Sequence, residues 1–389
     1  MRIAAVRATP VNIPFVAPYR FAYGSIASLT KTLVEVTTDD GMTGWGEAAD
    51  GDRSDAIMAL APKVIGLDPL DLDAVEAACV PGYAYSPWAD VLGARRSFAA
   101  IELALWDLRG RAEGRPLHDL LGGAVRTEIP LTEYFSYRFP GPAHPGESSP
   151  LEVARECARM IEEFDARIFE GKVGTVGDDE ELSMVREIRA AIGDRPLRLD
   201  ANGGWTVPTA RRLMPRFEEF GIDAWEEPVE GHADLAAIRD VTDRPLSGHN
   251  PDLLLARTLG VPDVIVTNLN ELGGVRRTVE FVRACAEAGV GFRFHSGETG
   301  VASTAYLHVT AAVPEIDDAS QTLFRWYADD VIAGGPHVPR HGVVPVPTGP
   351  GLGVEVDPAA VERCHARYLA EGPFPGAGGT AYGEAFTRR

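Results

Sequence analysis

The chain has 389 residues, 45% hydrophobic and 24% charged, which supports a large buried core and, by default, two domains. A formal net charge of −20 leaves no basic footprint for phosphate, so nucleic acid and anionic membranes are not expected partners. No apolar run is long enough to span a bilayer, and the start, MRIAAVRATPVNIPFV, lacks the apolar core and cleavage site of a signal peptide; a cytoplasmic location is expected.

The first fifty residues read as strands. TLVEVTTDDGMTGWGEA alternates β-branched and polar residues around Asp39-Asp40-Gly41, a hairpin signal. From Ser54 to about Arg115 the pattern is helical and ends in SFAAIELALWDLRGRAEGRPLHDLLGG, where Ile101, Leu105 and Leu108 fall at helix spacing and Gly114 with Pro116 stop the run. An α+β domain over residues 1–127 is therefore expected. From Glu128 short apolar strands alternate with amphipathic helices: EIPLTEYFS, RIFEGKVG, PLRLDANGG, DAWEEPVEG, PLSGHNPD, DVIVTNLNELGG and GFRFHSG each precede a helical stretch. Seven or eight such units over residues 128–335 predict a closed parallel barrel, and no glycine-rich phosphate loop follows the first of them to favour an open nucleotide-binding sheet. The Pro- and Gly-rich segment 336–389, with VPTGPGLGVEVD, reads as a return to the first domain. Cys79, Cys157, Cys285 and Cys364 lack metal-ligand spacing and are expected to be buried thiols.

In such a barrel chemistry sits at the carboxyl ends of the strands. Glu170, Lys172, Asp200, Asn202, Glu226, His249 or Asn250, Asn268 and His295 close the short apolar runs. Asp200 and Glu226 end consecutive strands, so their oxygens can converge on one hard cation, and Mg²⁺ prefers such ligands. Lys172 is a candidate base if burial near a cation lowers its pKa; His295 is one on intrinsic grounds. His118, His144, His232, His308, His337, His341 and His365 fall on helices or loops and read as structural.

The sequence resembles the enolase superfamily, in the mandelate racemase and muconate lactonizing branch, and is most similar to its acid-sugar dehydratases of the glucarate dehydratase type. DGMTGWGEA, IELALWDLRGRAEGRPLHDLLGG, RLDANGGW, WEEPVEG and PGLGVEVD carry the likeness in order and spacing. The resemblance implies a modified (β/α)₇β TIM barrel under an α+β cap built from both termini. It also implies Mg²⁺ held by residues ending the third, fourth and fifth strands, and abstraction of the proton α to a carboxylate. Asp200 and Glu226 match the first two ligands; the third falls on His249 or Asn250. Lys172 matches the second residue of a Lys-x-Lys pair whose first is replaced here by Glu170, a change expected to raise the pKa of Lys172. His295 matches the catalytic histidine, with Asn268 where its Asp partner would stand.

The expected substrate is a small carboxylate and the expected reaction is dehydration of an aldonic or aldaric acid to a 2-keto-3-deoxy acid, with Lys172 and His295 sharing the acid and base tasks. Racemisation or epimerisation is the alternative, and a catalytically weak metal- or ligand-binding protein the rival from another class. Asn202 is expected to bind substrate. The cap stretches APYRFAYGS and ADGDRSD are expected to set specificity through Arg20, Tyr23, Asp52 and Arg53. Relatives commonly assemble, so a homo-oligomer is expected.

Overall fold

The computed structural model describes residues 1–49, 51–82, 90–374 and 388–389. An antiparallel sheet of β1 (Ile3–Phe21), β2 (Gly24–Thr38) and β3 (Thr43–Ala48) opens the chain. The turn between β2 and β3 falls on the Asp39-Asp40-Gly41 signal, with Thr37 paired to Thr43 and Gly41 at φ 86°.

The helix Val91–Glu113 lies on β3. Gly44 and Gly46 permit the approach: a Cβ on either would collide with the carbonyl oxygens of Ala104 or Ala100. Gly46→Ala should therefore lower stability by about 1–3 kcal/mol in urea melts, whereas Gly82→Ala, with open space around it, should change little.

After a short β4 (Glu128–Pro130), seven parallel strands run β5 (Glu133–Phe135), β6 (Phe169–Lys172), β7 (Leu197–Asp200), β8 (Ala224–Glu226), β9 (Leu246–Gly248), β10 (Val264–Thr267) and β11 (Gly291–Phe294), adjacent in that order. Helices separate successive strands, and side-chain caps start several of them: Ser149, Thr206, Asp252 and Thr299 each accept a backbone N–H of the first turn. The curl closes through a segment with no strand pattern of its own. Ser320 bridges Leu131 in parallel and accepts the Thr132 N–H at 3.0 Å, while the Gln321 N–H donates to the Phe294 carbonyl at 3.2 Å. Ser320 and Gln321 thus stand where an eighth strand would.

The C-terminal segment packs against both parts of the chain. Its strand β12 (Val343–Pro345) pairs with β4, and the helix Pro358–Glu371 packs on β1, with His365 Nδ1 2.7 Å from the Pro10 carbonyl and Asn12 Nδ2 donating to the Gly372 carbonyl at 3.0 Å.

The motif acids of the first domain dock it onto the rest. Glu47 accepts the N–H groups of Thr299 and Ala302, both at 2.9 Å; Glu102 accepts those of Val275 at 2.7 Å and Arg276 at 3.1 Å; Asp107 accepts that of Leu352 at 2.8 Å. Each buried carboxylate supplies the acceptors that a helix or loop start lacks. The four cysteines are buried and unpaired, and among the described residues no helix is long and apolar enough to cross a membrane.

A histidine pair sits at the same junction. His118 Nδ1 lies 2.9 Å from His308 Nδ1, and His308 Nε2 lies 2.9 Å from the Leu352 carbonyl. Burial pushes the His308 pKa down to about 4. The unfolded chain takes up this proton near pH 6.5 and the folded one does not, so the contribution is complete above pH 6.5 and is lost as pH falls toward 4. Wild type should therefore lose roughly 3 kcal/mol more than His308→Gln over that interval in urea melts.

Candidate active site

Barrel register builds the site. Lys172, Asp200, Glu226 and Ser247 are successive partners across β6 to β9, so their side chains share the interior face. All four are buried. Lys172 Nζ donates to Asp200 Oδ2, which also accepts the Tyr134 hydroxyl at 3.2 Å. Asn202 turns into the left-handed region at φ 46° and folds back on Asp200, donating its N–H to Oδ1 at 2.7 Å and its Nδ2 to Oδ2 at 3.1 Å. The Asn202 Oδ1 is buried without a hydrogen-bond partner.

Burial pushes the Asp200 pKa up to about 6, with Lys172 opposing and Glu226 adding to the rise. For Glu226 burial also acts upward, but His249, Arg293 and Lys172 carry its carboxyl well below the usual range.

On β9 the two candidates separate. His249 Nε2 lies 3.2 Å from Glu226 Oε1, with Nδ1 fixed 2.9 Å from the Val266 carbonyl. Asn250 is exposed, and its Oδ1 accepts the Asp252 N–H at 3.0 Å. Neighbouring residues face opposite ways, so of the two expected third ligands only His249 reaches the cluster, and Asn250 is corrected to a turn residue.

Glu170 also differs from expectation. It shares the interior face with Lys172, yet its Oε1 accepts Gln321 Nε2 at 2.7 Å and its Oε2 lies 3.6 Å from Arg198 Nη1. Gln321 Nε2 donates to Glu226 as well, at 2.8 and 2.7 Å. Arg293 Nη2 lies 3.7 Å from Glu226 and donates to Ser247 Oγ at 3.0 Å. Glu170 therefore belongs to a charged layer beneath the site. The Lys172 pKa is indeed raised, but the cause differs: burial works against the rise, and Asp200, with Tyr19 and Glu226, overcomes it.

A cavity of about 360 Å³ opens above these acids, between the first domain and the barrel mouth. Lys172, Asn202, Asn268 and His295 line it from the barrel; Tyr19, Phe21, Tyr23, Ile26, Leu29 and Lys31 line it from the first domain. Burial and the nearby charge of His249 hold the His295 pKa well below the usual imidazole value, with Lys172 and Lys31 acting in the same direction.

Asn268 lines the cavity, but its Oδ1 accepts the Glu271 N–H at 3.0 Å, capping a short helix; the expected role of orienting His295 is replaced by that cap. Residues 19–24, within the cap stretch expected to set specificity, complete β1 and its turn into β2. Alternation turns Tyr19, Phe21 and Tyr23 toward the cavity, and Arg20 away with its guanidinium 5.2 Å from the Phe139 ring centre. Arg20 is thus corrected to a residue of the other face. Asp52 caps Ser54 at 2.9 Å, the Arg53 N–H donates to Thr32 at 2.8 Å, and Gly51 reaches the cavity wall; Asp50 lies outside the described residues.

Gln321, Arg198, Arg293, Tyr19, Tyr134 and Lys31 were not anticipated. Arg198 and Arg293 stand two residues before Asp200 and His295, so the same-face rule that pairs Glu170 with Lys172 places them inside the barrel.

The oxygen-rich donor set suits Mg²⁺: two fully buried carboxylates on one rung, and the unpartnered amide oxygen of Asn202 beside them. Elsewhere among the described residues, His144, Glu147 and Glu156 bring ligand atoms within 4.8 Å of one another, but Arg138 binds Glu147 through two 2.7 Å contacts and Arg159 binds Glu156, so that charge is already neutralised.

Residues 152–360 match the family model described as enolase C-terminal domain-like, and residues 3–122 match that of the mandelate racemase / muconate lactonizing enzyme N-terminal domain. A probable glucarate dehydratase of Streptomyces coelicolor is 28% identical over 95% of this chain and 92% of its own length. A chloromuconate cycloisomerase of Pseudomonas sp. strain P51 is 30% identical over 92% of this chain and 97% of its own. The crystal structure of an enolase from Thermobispora bispora, complexed with magnesium and formate, superposes with a TM-score of 0.86 at 31% identity, covering 96% of this chain and 94% of that one.

Proposed function

Because this chain belongs to the enolase superfamily, in its mandelate racemase and muconate lactonizing branch, we propose that it removes the proton α to a substrate carboxylate and expels a β-hydroxyl, dehydrating an acid sugar to a 2-keto-3-deoxy acid. The observation that carries this reading is that Lys172, which ends β6 and donates to buried Asp200, and His295, just past β11, face one cavity.

Asp200 and Glu226 would hold Mg²⁺, which when bound offsets the negative charge that develops on the substrate carboxylate. His295, kept neutral by burial and neighbouring cations, takes the α-proton on its imidazole nitrogen. The electron pair left behind forms the carbon–carbon double bond as the β C–O bond breaks. Lys172, held as an ammonium by Asp200, supplies the proton with which the hydroxyl leaves as water, and the resulting enol relaxes to the keto acid. Asn202 and Tyr134 fix the Asp200 carboxylate, and the first domain keeps water from the reacting carbon.

Epimerisation needs two bases that exchange roles, and the hold of Asp200 on Lys172 argues against that exchange. The test is incubation with Mg²⁺ and a panel of aldonic and aldaric acids. A 2-keto-3-deoxy product from any of them supports the reading. Inverted acid without keto product would replace it with an epimerase, and no reaction with any acid despite tight Mg²⁺ binding would favour a non-catalytic protein.

A further inference from the structure

We propose that Gln321, held in place by Glu170, blocks chelation of the cation by Glu226 and so makes the site select Mg²⁺ against Ca²⁺. The proposal rests on the reading above for where the cation binds. Gln321 Nε2 lies 2.8 Å from Glu226 Oε1 and 2.7 Å from Glu226 Oε2. A nitrogen almost equidistant from both oxygens of one carboxylate stands in front of it, where a chelating cation would stand. Glu170 Oε1 lies 2.7 Å from the same nitrogen. Carboxylate oxygens crowded around one end of an amide require that end to be the NH₂. One of its hydrogens serves Glu170, and the other is shared between the Glu226 oxygens.

The amide is closely held. Gln321, Glu170 and Glu226 are all buried, and the Gln321 backbone N–H donates to the Phe294 carbonyl at 3.2 Å. Around Glu226, His249 Nε2 lies 3.2 Å from Oε1 and Arg293 Nη2 lies 3.7 Å from Oε2. Arg198, 3.6 Å from Glu170 Oε2, also binds Asp318 and the Ala319 carbonyl, so it does not replace Gln321 between the two acids. Glu170 thereby acts on the metal carboxylate through Gln321, and not on Lys172.

With its chelating position filled, Glu226 offers a cation one oxygen, from the side. That suits Mg²⁺, which demands near-ideal octahedral geometry that the narrow bite of a chelating carboxylate distorts. Ca²⁺ is larger, takes more oxygens in flexible geometry and accepts chelating carboxylates readily. Gln321 therefore withholds from Ca²⁺ an oxygen that Mg²⁺ does not need.

Calorimetric titration with Mg²⁺ and with Ca²⁺, no acid present, tests this. Wild type should bind Mg²⁺ at least as tightly as Ca²⁺. Gln321→Met, of similar length but without donors, should shift the ratio of the two affinities toward Ca²⁺ by about 10- to 100-fold, whereas a merely structural loss would weaken both ions alike. Gln321→Asn keeps a buried amide but draws it back by one methylene; it should shift the ratio the same way and serves if Gln321→Met does not fold, as thermal melts report. Glu170→Gln leaves Gln321 an acceptor and should keep the wild-type ratio. Tighter Ca²⁺ than Mg²⁺ binding by wild type, an unchanged ratio in folded Gln321→Met (or in Gln321→Asn where the former does not fold), or an equal shift in Glu170→Gln would overturn the assignment. Because no substrate is present, a shifted ratio upholds it even where no acid is turned over, a result that would sink the reaction alone; dehydration with an unshifted ratio would sink the assignment alone.

Discussion

Asparagine at position 295 should lower turnover by roughly 10²–10⁴-fold, the range general acid–base groups supply, while KM changes little. His295 faces the cavity beside Lys172, whereas the proposed Mg²⁺ ligands Asp200 and Glu226 sit on β7 and β8, on the rung that Lys172 shares. Removing the imidazole therefore removes a proton acceptor without removing what holds the substrate carboxylate. Steady-state kinetics on a turned-over acid reads the split: a large fall in kcat at constant KM is expected, and a rise in KM at constant kcat would make His295 a binding residue instead. In the proposed step His295 acts unprotonated and its pKa lies well below the ordinary imidazole value, so at saturating Mg²⁺, which keeps Asp200 ionised, kcat/KM for wild type should hold level as pH falls from 7 to 6. An unperturbed imidazole would already be losing activity there.

Asp200→Asn should weaken Mg²⁺ binding by more than about 100-fold, beyond the loss typical of an outer partner. Asp200 contributes one of two carboxylates, and its side chain is also the acceptor for Lys172, Tyr134 and Asn202. The amide keeps the shape but leaves the buried Lys172 without its counter-ion, and breaking a buried pair in this way costs about 3–5 kcal/mol. Two measurements follow. Calorimetry should show Mg²⁺ affinity lost, and the rise in Tm that Mg²⁺ gives the wild type should vanish. Unchanged affinity would move the cation away from this rung.

The barrel was legible because most of its strands are short apolar runs ahead of an amphipathic helix, and the hydrophobic period changes visibly between them. The same period places Lys172 and Glu170 on one face, and Asp200 and Glu226 at matching strand ends. The eighth position was not legible: Ser320 and Gln321 join the barrel through two backbone hydrogen bonds and one bridge, with no apolar alternation to announce them. Glu170 could be placed, and Arg198, two residues before Asp200, could be placed on the same face, but Gln321 could not, because it comes from that unannounced segment. Its opposite charge suggested an effect on Lys172, yet the carboxylate that reaches Lys172 is Asp200.

Asn250 and Arg20 were misplaced for a shared reason. In an extended chain one step reverses the face, and amide or guanidinium chemistry alone does not fix the step; position along the strand favours His249 over Asn250 and Tyr19 over Arg20. The motif glycines and acids of the first domain were recognised as a pattern before their work was visible. In the structure Gly46 admits a helix, while Glu47, Glu102 and Asp107 satisfy backbone donors across the junction.

Proton abstraction at the carbon next to a carboxylate is the claim on which the functional account turns, and solvent deuterium reads it directly. With Mg²⁺ in deuterated water, wild-type protein should place deuterium at the former α position or the adjacent deoxy carbon of a hydroxy acid that it accepts, as seen by proton NMR, and His295→Asn should not. Deuterium entering at the same rate in both proteins, or in neither with every acid offered while Mg²⁺ binds tightly, would contradict it.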